Sequence, residues 1–279
     1  MTLQSDAALL VIGAAMRLHE LPDFVGWLAS GQRDLEIQDP CYAGFLDGDW
    51  QPLAEQGRAR LETAGYAGRL GIHAAYDGIA VATIDDRIRA VFIERYQQSL
   101  AFGKVLGATH MVVHSPFLYL GQAFVAFGSA RDRRGVIDSA HATLEPVLTT
   151  AQALGCQLVV ENCYDSNPYP LLELVRSFDT EWLRMSLDVG HAFITQQFGG
   201  PTPDQWVTEA GDLLAHVHLQ DNDGFADRHW GLGEGNINWR AFFRTLTTLS
   251  HKPRLVLELN DVAETWSSMA YLEANGLAR

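Results

Sequence analysis

The chain has 279 residues, enough for one large domain, and 47% of them are apolar, an ordinary share for a globular protein. Its formal net charge of −14 repels phosphate backbones at long range, which argues against nucleic acid as a partner. No stretch approaches the roughly 18 unbroken apolar residues of a membrane span.

The first apolar run has no basic residues before it, so no secretory signal is expected there. Three cysteines without CxxC spacing (Cys41, Cys156, Cys163) fit a reducing cytoplasm better than a disulfide framework. The nearest thing to a basic run is Arg131 to Arg134, read as a solvated loop or helix start. Eight strand-length runs then follow one another: Leu9–Ala14, Asp34–Gln38, Arg69–Ala75, His110–Ser115, Gln157–Cys163, Arg184–Gly190, His216–Asp221 and Arg254–Asn260. Their starts lie 25 to 47 residues apart, room for a crossover helix each time.

Helical patterns fill the later gaps. Ile84–Phe102 carries apolar residues at three- and four-residue intervals, with Thr83 as expected cap and Asp86 in the first turn. Asp138–Ala153, Pro170–Phe178, Asp204–Leu214 and Trp239–Leu249 follow. Strand and helix alternating eight times predict an α/β protein: a single-domain (β/α)8 TIM barrel over residues 1–279. A doubly wound open sheet is weaker, because no glycine-rich phosphate loop follows the first run.

In such a barrel the carboxyl ends of the strands carry the chemistry. Those ends hold His73, His114, Glu161, Asp188 with His191, His218 with Asp227 and His229 in its loop, and Glu258. A lone histidine at a strand end is more often a satisfied polar residue than a ligand. Glu161 and Glu258, however, close almost wholly apolar runs, and a buried carboxylate without a partner costs several kcal/mol. No lysine or arginine stands at the carboxyl ends of the neighbouring predicted strands. A divalent metal is the economical counter-charge, and nitrogen and oxygen ligands suit Zn, Mn, Co or Fe. Asp188 and His191 are separated by a turn short enough to aim both at one ion.

Other polar residues carry less. His216 lies deeper in its strand, Glu36 is a candidate to reach the pocket, and Asn162 is a candidate support for the ligands. His110 and His141 read as structural or exposed, and His19 and His251 carry no signal. Phe117, Tyr119, Tyr164, Phe193 and Trp230 are candidate pocket walls, although packing is the commoner role for such residues. Glu234 is expected to hold its loop or touch substrate.

The segments around Glu161 (ENC), Asp188 (DVGHAF), His218 (HVHLQDND), Asp227 (DRHWGLGEGNINW) and Glu258 (LELN) resemble the xylose isomerase-like TIM barrels. These include sugar (phosphate) isomerases and epimerases, hydroxypyruvate isomerases, inosose dehydratases and endonuclease IV. The resemblance covers about His73 to Asn260. It implies a shared metal site of Glu161, Asp188, His218 and Glu258. It also matches the three-zinc cluster of endonuclease IV at His73, His114, His191, Asp227 and His229, so one to three ions, zinc or manganese, are expected.

The implied activity is metal-dependent isomerisation or epimerisation of a small sugar through a metal-stabilised enediolate. Glu161 and Glu258 would exchange the proton, with His191 steadying the oxyanion. Phe117, Tyr164, Trp230 and Glu234 are the expected substrate contacts. A multi-zinc phosphoesterase and a dehydratase are the alternatives. Family members often pair, so a homo-oligomer is compatible with the resemblance, although no surface pattern shows one. Two departures stand out. The loops after His73 and His114 lack a DNA-gripping basic set. The arginine that follows the strand-seven histidine in ketose 3-epimerases is missing, Arg228 being the nearest.

Overall fold

A strand covered by helices on one face and by barrel interior on the other must be apolar on both, which is why its sequence reads as an unbroken run rather than an alternation. In the computed structural model, which describes residues 10–76, 81–117 and 130–279, eight such runs form parallel strands. They are β1 Gly13–Met16, β2 Leu35–Ile37, β3 Leu70–His73, β4 His110–His114, β5 Gln157–Glu161, β6 Leu183–Asp188, β7 Leu214–Leu219 and β8 Arg254–Leu257. They close in chain order, β1 meeting β8 through Gly13 beside Val256 and Ala14 beside Leu257. The fold is the closed (β/α)8 barrel.

The helices are α1 Leu21–Gly31, α2 Ala43–Leu46, α3 Gln51–Thr63, α4 Asp86–Leu106, α5 Ala130–Leu154, α6 Tyr169–Ser177, α7 Val189–Gln196, α8 Pro203–Ala210, α9 Trp239–Leu246 and α10 Thr265–Ala274. Their apolar faces, such as Trp239, Phe242, Phe243 and Leu246 of α9, pack on the barrel as one continuous core. Each fully buried side chain of that size contributes roughly 2 kcal/mol against exposure. Among the described residues no helix is long and apolar enough to cross a membrane.

Three local differences from the sequence expectation bear on the site. The cap of α4 is Asp85, whose carboxylate accepts from the amides of Arg87 and Ile88, while the Thr83 hydroxyl, two residues back, accepts from the amide of Asp85. The first strand begins at Gly13 rather than Leu9, which lies outside the described residues; Arg17 therefore follows β1 directly. The turn after Asp188 is the first turn of α7, and the Asp188 carboxylate caps it by accepting from the amide of His191 at 2.6 Å.

A register irregularity between Met185 and Ser186 then sets Asp188 beside His218 across β6 and β7. At the opposite, amino end of the barrel, Asp34 is buried and closed off. Arg69 donates two 2.7 Å bonds to it, and the amide of Leu255 donates a third at 2.9 Å.

Candidate metal centre

Four histidines at the carboxyl end share one arrangement. Each turns one ring nitrogen to a fixed acceptor, which keeps a proton on that nitrogen and points the other at the carboxylates. His73 Nδ1 donates to the carbonyl of Ala74 at 2.9 Å, His191 Nδ1 to the carbonyl of Asn162 at 2.9 Å, and His229 Nδ1 to the carbonyl of Glu258 at 2.9 Å. His218 uses Nε2 instead, donating to Glu36 Oε1 at 3.0 Å. The freed nitrogens meet the carboxylates. His218 Nδ1 is 3.3 Å from both Glu161 Oε2 and Glu258 Oε2, and His73 Nε2 is 3.4 Å from Glu161 Oε2. Asp227 stands 3.2 Å from His191 Nε2 and 3.2 Å from His229 Nε2.

The nine residues expected from the sequence fall into three groups whose ligand atoms lie within 4.8 Å of one another. The groups are Glu161, Asp188, His218 and Glu258; His73, His114 and Glu161; and His191, Asp227 and His229. Glu161 belongs to the first two. The third is nearest the mouth, with the Asp227 side chain 46% exposed.

These residues fit a divalent cation. Glu161 Oε2, Asp188 Oδ2 and His218 Nδ1 are buried without a hydrogen-bond partner, an unusual state for polar atoms in a folded interior. Tetrahedral ligands at zinc distances stand about 3.3 Å apart, matching the 3.2 to 3.4 Å separations here.

The electrostatics agree. Burial, with repulsion from Glu161 and Glu258, pushes the Asp188 carboxyl up to about 6. Burial presses His114 down to about 3. Against burial, the Asp227 carboxylate and the charge of Glu258 lift His229 to about 10. Against burial too, His191 and His229 hold Asp227 well below the usual carboxylate range.

Amides that the sequence reading did not single out position the carboxylates. Gln38 donates to Glu258 Oε1, and Gln220 donates to Asp227 Oδ1 at 2.7 Å. A side chain at position 190 would collide with Gln220 at 2.2 Å, which explains the glycine after Val189. Asn162, the expected support, clamps β5 to β6. Its Oδ1 accepts from the amide of Asp188 at 2.8 Å, and its Nδ2 donates to the carbonyl of Asp188 at 3.1 Å. The loop after β7 is organised by Asp221, which accepts from the amides of Asn222, Gly233 and Ile237 and from the indole of Trp239. Glu234, expected to hold that loop, is exposed.

A cavity of about 410 Å³ opens beside the centre, reaching His229 and Glu258 on one side and Arg17, His19, Glu20, Gln38, Tyr42 and Tyr76 on the other. Arg17 corrects the expectation that no cation stands at a neighbouring strand end; it donates to the Tyr42 hydroxyl at 2.9 Å. Phe117, Tyr164, Trp230 and Glu234 do not line this cavity. Phe117 is packed in the core and Tyr164 is 53% exposed. Trp230 pairs its backbone with Asp221 under the guanidinium of Arg228. Phe193 packs against the core, and Tyr119 lies outside the described residues.

The chain is 24% identical to an uncharacterized protein of Methanocaldococcus jannaschii over 215 residues, 75% of this chain and 70% of that one. Among solved structures it resembles a D-tagatose 3-epimerase-like protein, with TM-score 0.75, 22% identity and coverage of 95% and 96% of the two chains. It also resembles a Thermus thermophilus protein soaked with zinc chloride, with TM-score 0.75, 24% identity and coverage of 97% and 100%. At these identities the structural likeness is one of fold. The sequence pattern of the xylose isomerase-like TIM barrels matches residues 36–274, and the chain belongs to that family.

Proposed function

We propose that this protein is a metal-dependent sugar isomerase or epimerase that moves a proton on a carbon next to a carbonyl. The observation that carries the reading is the convergence of Glu161 from β5 and Glu258 from β8 on His218 Nδ1, 3.3 Å from each, at the edge of the cavity. Glu161, Asp188, His218 and Glu258 would hold a divalent ion, which would supply Lewis-acid polarisation of a substrate carbonyl.

Glu258, the one of the pair that lines the cavity, takes the proton from carbon, and Glu161 faces it from the other side to return one. Gln38 holds the second oxygen of Glu258 so that Oε2 stays turned inward. Arg17, Tyr42 and Tyr76 offer hydroxyl and guanidinium groups to a polyhydroxylated substrate, and the cavity is of a size that encloses a small ligand. The fold likeness to a D-tagatose 3-epimerase-like protein supports the same reading.

The test is proton exchange. Manganese- or zinc-loaded protein is incubated in D2O with a panel of ketoses and aldoses, free and phosphorylated, and deuterium next to the carbonyl is followed by NMR. Exchange that disappears in Glu258→Gln is the expected result. No exchange with any member of the panel overturns the proposal.

A second reading rests on a separate observation: the groups His73–His114–Glu161 and His191–Asp227–His229 flank the first and are each complete enough for an ion of their own. Two or three zinc ions would suit hydrolysis of a phosphate ester. Two to three zinc per chain, with turnover of phosphodiesters and none of sugars, would select it.

A further inference from the structure

Deeper in the barrel, beneath the metal centre, Glu36 of β2, His110 of β4 and His216 of β7 face one another. All three are 0% exposed, and their ligand atoms lie within 4.8 Å of one another. Their hydrogen bonding is incomplete. Glu36 Oε1 accepts from His218, but Oε2 has no donor. His216 pairs Nδ1 with the Ser186 hydroxyl at 2.8 Å, while its Nε2 has no hydrogen-bond partner although it stands 3.2 Å from Glu36 Oε2. Neither ring nitrogen of His110 has a partner.

Four polar atoms without a protein partner in the buried interior carry a large penalty, and a buried carboxylate adds a charge that needs an opposite one. Among the described residues Glu36 pairs only with histidines. The backbone makes room for this cluster. A Cβ on Gly71 of β3 would lie 1.9 Å from His110 Nε2, so only glycine admits the ring there.

We propose that Glu36, His110 and His216 form a second, interior cation site that takes a small divalent transition ion, with zinc as the probe. One carboxylate oxygen and two imidazole nitrogens are a borderline-soft set suited to zinc, and the 3.2 Å gap between Glu36 Oε2 and His216 Nε2 is the edge of a tetrahedral zinc site. Ser186 plays the outer part, accepting the Nδ1 proton of His216 so that Nε2 keeps its lone pair. Glu36 then bridges the interior ion and His218, joining the barrel interior to the metal centre above it. The inference stands on these residues and not on the sugar reading.

The experiment reads zinc in two ways. Wild type and His110→Asn are each refolded in zinc chloride, desalted and assayed for zinc per chain, with circular dichroism to show that both are folded. The variant is expected to hold one zinc fewer; equal zinc in the two folded proteins overturns the site. Anomalous diffraction at the zinc edge from wild-type crystals decides the matter even where the variant does not fold. A peak among Glu36, His110 and His216 supports the proposal. A peak at Glu161, Asp188, His218 and Glu258 with none in the interior overturns it and leaves the metal centre standing. Absence of both peaks overturns the interior site and the metal centre together.

Discussion

Asp34 and Asp188 are buried carboxylates at opposite mouths of the same barrel, and they are satisfied in different ways. Asp34 receives two bonds from Arg69 and one from the amide of Leu255. Asp188 uses Oδ1 to cap α7 and leaves Oδ2 with no partner, as Glu161 leaves its Oε2. Asp34 is complete within the polypeptide. The other keeps an oxygen unpaired, and the histidines around it are held with one ring nitrogen turned inward. The contrast teaches that the degree of hydrogen-bond saturation, more than burial itself, separates a carboxylate that secures the fold from one set to receive a ligand.

Substitutions at the two ends should therefore fail differently. The largest effect is expected from Glu258→Gln, which keeps the shape and removes the charge. Turnover should fall about 10³-fold or more while circular dichroism is unchanged, and activity within tenfold of wild type would remove Glu258 from the chemistry. Asp34→Ala should do the reverse. It strands Arg69 and the Leu255 amide at a cost of about 3 kcal/mol, less than for a fully buried pair because Arg69 is partly solvated. Thermal denaturation should show Tm lowered by roughly 10 °C, with kcat per folded molecule preserved.

Gln38→Ala lies between them. Freeing the second oxygen of Glu258 should lower kcat about tenfold with little change in Tm, and an unaltered kcat would show that Gln38 does not position the carboxylate. The smallest effect is on pH dependence. Burial pushes the Asp165 carboxyl up to about 7, in spite of bonds from the Ser115 hydroxyl and the Cys163 amide. Between its unfolded value near 4 and about 7 the folded chain keeps a proton that the unfolded chain has lost. Stability from this group therefore falls as pH rises through that window and is level above it. Comparing the Tm of wild type with that of Asp165→Asn at pH 5 and pH 8 checks it: wild type should lose ground to the variant at the higher pH.

Much of the frame was legible because strands buried on both faces are conspicuous, and a charged residue closing such a run, as Glu161 closes Leu158-Val159-Val160, is more so. His73, His114, Glu161, Asp188, His218 and Glu258 could be named from such strand ends, and His191, Asp227 and His229 from the turn and loop that follow two of them. The first strand was harder. Its residues Gly13, Ala14 and Ala15 are small and carry little β signal, and the more apolar stretch before them drew the boundary too early. Arg17, His19 and Glu20 consequently had no visible place, although all three line the cavity. Gln38 could not be found either. It closes the predicted run Asp34–Gln38, but an uncharged amide there carries no signal of its own, and its partner Glu258 lies 220 residues away. Glu36 was a candidate without a role for the same reason, because its bond to His218 spans 182 residues and exists only once the barrel closes.

The anchored imidazoles have a calorimetric consequence. Against burial, neighbouring acidic groups raise His73, His191 and His218 well above 6.5 and His229 to about 10, so near neutral pH the ring nitrogens facing the carboxylates carry protons that an incoming cation would have to displace. On the proposed reading, uptake of metal would be an exchange of cations rather than a simple addition. Its apparent heat should change with the ionisation enthalpy of the buffer, and the slope of that dependence counts the protons expelled. Because the rings are already in place, little surface is removed from water in the process, and the heat-capacity change on loading should stay near zero.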